Sequence, residues 1–186
     1  MPSTLPQNIP PYRLSRFSGH PDTLRAMVRA VQGPRGEQSY LVREVLEDII
    51  RDVQPKDYLG EILAVRYWVA EHVHYVNDPL HVEMVKDPQR IVEEILRTGK
   101  AIEDCDGYTV LNSCFALLLG RVSEACVVGF GAAGQYAHVF SRVQEPRTNQ
   151  WIVCDQVAGT DERGMLDAIT TYYTVSFDEP PERIAA

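Results

Sequence analysis

The sequence predicts an α+β domain, and three observations carry that prediction. Three amphipathic stretches come first, between residues 22 and 75. An apolar run over 108–119, "YTVLNSCFALLL", follows and is too long for a strand. Beyond Gly120 the texture changes to short runs rich in β-branched and aromatic residues. Helices first and sheet second favour a helical layer packed on an antiparallel sheet over an alternating α/β fold.

Residues 1–21 hold prolines at 2, 6, 10, 11 and 21 and no clean periodicity, which reads as an extended arm. "HPDTLRAMVRAVQG" offers Asp22 or Thr23 as an N-cap, apolar Leu24, Met27, Val28 and Val31, and Gly33 as a stop. "GEQSYLVREVLEDIIRDV" places Leu41, Val42, Val45, Leu46, Ile49, Ile50 and Val53 on one stripe. A third helix opens after Pro55 and runs through Leu59, Ile62, Leu63, Tyr67 and Val69. "HYVNDPLHVEMVKDPQ" reads as a loop, and a short helix is expected over 88–97. The apolar run then makes a buried helix with Val110, Leu111, Cys114, Leu117 and Leu118 at helical spacing. "EACVVGFG", "YAHVFSRVQ", "WIVCDQV" and "TTYYTVSF" read as strands. The domain is therefore expected over 22–178, with an arm at 1–21 and a tail at 179–186.

A formal net charge of −8 over 186 residues argues against a nucleic-acid surface, which needs clustered Lys and Arg. No stretch approaches the roughly 20 apolar residues of a membrane helix. The polar start carries no signal-peptide core, so a cytoplasmic, reducing setting is expected. In that setting Cys105, Cys114, Cys126 and Cys154 read as free thiols, the last three as core residues. His72, His74 and His81, with Asp104 or Asp106, raise a metal reading. His72 falls at a helix end and no spacing positions a third ligand, so neither metal nor cofactor is expected.

Cys105 stands out because "IEDCDG" surrounds it with acids just where a helix should begin. A cysteine nucleophile needs a base and a group that orients the base. Downstream there is one histidine, His138, and "WIVCDQV" supplies Asp155. If Gln144 pairs with Asn149 around a four-residue loop, His138 falls directly opposite Asp155, on the same face of the sheet. Helix-start N–H groups and a protonated His138 would then favour a thiolate, with Asp104 as the cap and the acids turned away from sulfur. Gly107 would let a substrate approach the backbone. Trp68 and Tyr67 read as core aromatics.

The pattern "DCDGYTVLNSCFALLLG", then "YAHVFSRV" and "WIVCD", resembles the transglutaminase-like superfamily, which is related in fold to papain-type cysteine peptidases. "TLRAM" at 23–27, "YVNDP" at 75–79 and "VEMVKDP" at 82–88 make it most similar to the transglutaminase-like proteins of tailed phages and prophages. The resemblance implies a Cys105–His138–Asp155 triad acting in acyl transfer on peptide or cell-wall peptide amides. It implies an oxyanion hole of the Cys105 backbone N–H and an upstream side chain, with Trp68, Tyr75 and Asn77 as candidates and Tyr75 preferred for its place in the matching segment. Asp104, Asp106 and Trp68 are carried as substrate-site residues. The same resemblance admits a structural role in a phage tail or baseplate, with the N-terminal arm docking on other virion proteins.

Overall fold

A computed structural model describes residues 20–77, 85–132, 136–157 and 162–184. The proline-rich arm, save residues 20 and 21, lies outside the described residues, as do His81 and the first three residues of "VEMVKDP". Helix α1 spans His20–Gln32, α2 Tyr40–Ile50, α3 Tyr58–His72, α4 Pro88–Thr98, α5 Cys105–Leu118 and α6 Glu162–Asp167. Strands are β1 Val73–Tyr75, β2 Ala101–Glu103, β3 Ser123–Gly129, β4 His138–Gln144, β5 Trp151–Cys154 and β6 Thr171–Ser176.

The helices start where the sequence supplies an acceptor for orphaned N–H groups. Ser39 caps α2, Asp57 caps α3, and Asp87, followed by Pro88, caps α4. Gly99 closes α4 with φ 85°, a left-handed conformation suited to glycine. Helix α1 begins at His20, two residues ahead of the expected cap. Asp22 therefore lies in its first turn, where it accepts from Arg25 at 2.8 Å.

Strands β5-β4-β3-β6 form an antiparallel sheet. Helix α5 lies across it, and α1 to α4 pack around α5, so that the stretch from Asp106 to Ala116 is buried on every side. Phe115, Leu111 and Val110 on α5 are fully buried with Met27, Val28, Val42, Val69 and Ile91. Each large side chain removed from water in this way contributes about 1.5–3 kcal/mol. Cys114 joins that core, while Cys126 and Cys154 fill two smaller apolar clusters. Tyr67, expected in the core, is 67% exposed; the buried stripe of α3 is Ile62, Val65 and Val69.

Parts of the topology escaped the sequence pattern, the short helix α6 among them. Strands β1 and β2 form a two-stranded parallel ladder in which Tyr75 pairs with Glu103. Three residues each are too few for a period to show. The segment from 179, expected as a tail, ends in a 3-10 turn at Pro181–Arg183. It is tied to α1 by Arg25 donating to the Ile184 carbonyl and Gln32 donating to the Glu179 carbonyl.

Candidate active site

Cys105 is the first residue of α5, at the point where β2 gives way to the helix. Asp104 caps that helix through its carboxylate, which accepts from the N–H groups of Asp106 at 3.0 Å and Gly107 at 3.4 Å. These are the donors expected to favour a Cys105 thiolate, and the cap takes them. Asp106 does not turn away: the Cys105 thiol donates to its Oδ1 at 3.8 Å. Burial and then the Asp106 charge push the Cys105 thiol up to about 12, with Asp104 adding to the shift. The backbone N–H groups of Val139 and of Cys105 itself pull the other way and lose. Burial and the neighbouring acids therefore oppose the thiolate expected at the helix start. The acids that the sequence sets beside sulfur do touch it.

His138 opens β4, and its Nε2 lies 2.7 Å from Asp155 Oδ2, with both side chains nearly buried. The strand register differs from the assumed one: Gln144 pairs with Trp151 and Ser141 with Cys154. The loop still has four residues, but it is closed by Glu145 and Gln150. Asn149 sits inside it at a left-handed φ of 56°. The Glu145 carboxylate holds the N–H groups of Arg147 and Thr148. The register therefore shifts by two residues, and an even shift keeps every side chain on its face. Asp155 stands diagonal to His138 rather than opposite, a spacing of ~7–8 Å that these two side chains span. Val157 N–H donates to the other Asp155 oxygen at 2.9 Å, so both oxygens are held.

Cys105, Asp106 and His138 line a cavity of about 250 Å³. Leu24 and Met27 of α1, with Val127 and Tyr136, line it too. Tyr136 is fixed by an edge-to-face contact with Tyr173 of β6, ring centroids 5.0 Å apart. The α1 lining was not foreseen, because its residues carry only a core periodicity in the sequence.

Tyr75 ends β1, and its pairing with Glu103 brings it beside the nucleophile turn. Burial raises its hydroxyl pKa, followed by the charges of Cys105, Asp104, Asp106 and Asp155. The hydroxyl donates to Asn77 Oδ1 at 2.7 Å, so two of the three oxyanion candidates are bonded to each other. Trp68 is occupied elsewhere. Its ring stacks on His72 at 4.5 Å and meets the edge of Phe115 at 5.8 Å, in the packing between α3 and α5. His72 Nδ1 also bonds the Trp68 carbonyl. Among the described residues no group of three or more His, Cys, Asp or Glu could hold a metal ion.

Gly107 is required by packing. A Cβ there would meet Glu103 Oε2 at 2.4 Å and Glu103 Cβ at 2.6 Å. Glu103 itself is buried and accepts from Lys86 Nζ at 2.7 Å; Lys86 also donates to Glu94 and the Ile102 carbonyl. Burial outweighs the Lys86 attraction and pushes the Glu103 carboxyl up to about 7. Sequence reasoning passed over this pair. A lysine 17 positions before its partner carries no periodic signal.

No family model matches the chain, and no curated protein matches it. Among solved structures it is similar to a Parabacteroides distasonis protein described as a candidate protease, with a TM-score of 0.56 and 13% identity. The match covers 84% of this chain and 29% of that protein's length. At this identity the likeness speaks for a shared α+β fold. Among the described residues no helix is long and apolar enough to cross a membrane.

Proposed function

We propose that this chain is a cysteine acyl-transfer enzyme of transglutaminase-like fold, acting as a peptidase or amidase through Cys105, His138 and Asp155. The observation that carries the reading is the 2.7 Å His138 Nε2–Asp155 Oδ2 bond on a ring that shares a cavity with the helix-starting Cys105. The structural likeness to a candidate protease lends weight to peptide chemistry.

Asp155 holds the imidazole proton on Nε2, which leaves Nδ1 with its lone pair as the base. Because Cys105 rests as a neutral thiol, its proton passes to Nδ1 as sulfur attacks the amide carbonyl carbon. The resulting oxyanion is met by the Cys105 N–H and, after rotation away from Asn77, by the Tyr75 hydroxyl. The C–N bond then breaks and His138 returns the proton to the leaving amine. Water attacks the thioester with His138 again as base, releasing the acid and the free thiol. Asp104 contributes the helix cap and Asp106 sets the thiol's charge state. The substrate class proposed is a peptide or cell-wall peptide amide, and the setting a phage or prophage particle, on the resemblance of "DCDGYTVLNSCFALLLG" and its upstream segments.

The test is alkylation of Cys105 by iodoacetamide near pH 7, followed by intact-mass and peptide mapping. His138→Ala is expected to slow it strongly, and Cys105→Ala to abolish it. A Cys105 rate that His138→Ala leaves unchanged would point instead to the fold used as a docking module.

A further inference from the structure

We infer that Asn112 and Gln156 form an amide clamp that positions Asp155, and through it His138, against the Cys105 end of α5. The inference rests on the acyl-transfer reading for its consequence but on separate contacts for its geometry.

Asn112 is 1% exposed in the middle of the buried helix, where an amide must find partners or destabilise the fold. It faces Gln156 in a reciprocal pair: Asn112 Nδ2 donates to Gln156 Oε1 at 3.0 Å, and Gln156 Nε2 donates to Asn112 Oδ1 at 3.2 Å. The remaining hydrogens are also used. Asn112 Nδ2 donates to the Tyr108 carbonyl at 2.9 Å and Gln156 Nε2 to the Arg66 carbonyl at 3.2 Å. Both outer partners are carbonyls, so each amide has only one orientation that satisfies it.

The clamp lies where it can govern the site. Gln156 follows Asp155 directly, and Asn112 stands two helical turns from Cys105, about 10 Å along the same face of α5. The strand β5 ends at Cys154, and Asp155 and Gln156 follow it in the turn that carries the site. Asp155 receives the His138 and Val157 bonds through its side chain; the Gln156 amide anchors the same turn to α5 and α3. Losing that anchor loosens the hold of α5 and α3 on the Asp155 turn. A displacement of about 1 Å in such a group costs up to about a hundredfold in rate. Asn112 and Gln156 are positioning residues and touch no reacting atom.

Two readouts test this on the full chain. The first is the His138-dependent iodoacetamide rate of Cys105 at pH 7. The second is the downfield proton resonance of His138 Nε2–H, which reports the bond to Asp155 whether or not the protein is an enzyme. Gln156→Ala and Asn112→Ala are expected to lower the rate about tenfold to a hundredfold and to shift or broaden the resonance. The exchanged pair Asn112→Gln with Gln156→Asn keeps the same number of side-chain carbons and is expected to restore both. Ser113→Ala serves as control, since it breaks another buried bond of α5, to Ser123 Oγ, at a distance from the turn. An unchanged resonance in the folded single variants overturns the clamp. So does a change no larger than that of Ser113→Ala at equal loss of melting temperature. If the wild-type rate shows no His138 dependence while the resonance responds as expected, the clamp stands and the acyl-transfer reading falls.

Discussion

The two halves of the candidate site are built on opposite electrostatic principles. In the imidazole half, His138 and Asp155 meet at 2.7 Å, and the second Asp155 oxygen is held by Val157. In the thiol half, Cys105 bonds a carboxylate, loses the Asp106 and Gly107 donors to Asp104, and is pushed up to about 12. One half is preorganised to accept a proton; the other is arranged not to release it at rest. The difference teaches that a helix N-terminus does not by itself activate a cysteine. Its donors act on the thiol only if no capping side chain reaches them first.

The sharpest way to break the contrast is Asp155→Asn, which keeps the shape and removes the carboxylate that fixes the tautomer. Loss on the order of 10³-fold in the His138-dependent Cys105 rate is expected, measured against wild type under identical alkylation conditions. Gly107→Ala acts on the thiol half alone. Its Cβ meets Glu103 Cβ, which the β2 backbone holds, so overpacking of about 1–3 kcal/mol is expected to exceed the helix-propensity gain. Urea midpoints read that cost directly, while the His138 Nε2–H resonance should remain.

Asp106→Asn sharpens the comparison in the opposite sense. Removing the charge next to sulfur lowers the thiol pKa, and each unit gives about tenfold more thiolate. Stopped-flow alkylation at pH 8 should therefore quicken, and a slower rate would mean that Asp106 assists the thiol. The smallest expected effect is a pH dependence of stability. Glu103 is raised from 4.5 to about 7 on folding, so the folded state holds its proton more tightly. That contribution is complete below pH 4.5 and is lost as pH rises through about 7. Urea midpoints at pH 5 and 7.5 should differ less in Glu103→Gln than in wild type.

The long elements were legible because their signals are local. Val42, Val45 and Leu46 fall on one helical stripe, and the β-branched runs of β3 and β4 alternate faces along the sheet. The juxtaposition of His138 and Asp155 could be reached from sequence even with the wrong register. The error was an even number of residues, which preserves the face and leaves a diagonal neighbour. Tyr67 misled for the converse reason, since an aromatic at helical spacing can also face water. The β1–β2 ladder, the Lys86–Glu103 pair and the amide clamp were invisible, because each joins short or distant segments. One hint was present: Asn112 and Ser113 interrupt an apolar helix, and buried polar groups demand partners.

By itself, the sequence determined the order of the five longer helices and the four strands of the main sheet, the placement of Cys105 at a helix start and the common face of His138 and Asp155. These follow from periodicity, capping chemistry and the two-residue alternation of a strand. Only the tertiary structure decided the burial of the thiol against Asp106, the cavity lining from α1 and the packing role of Gly107. Those depend on which groups burial brings together and on which donors are already taken, and no local pattern encodes either.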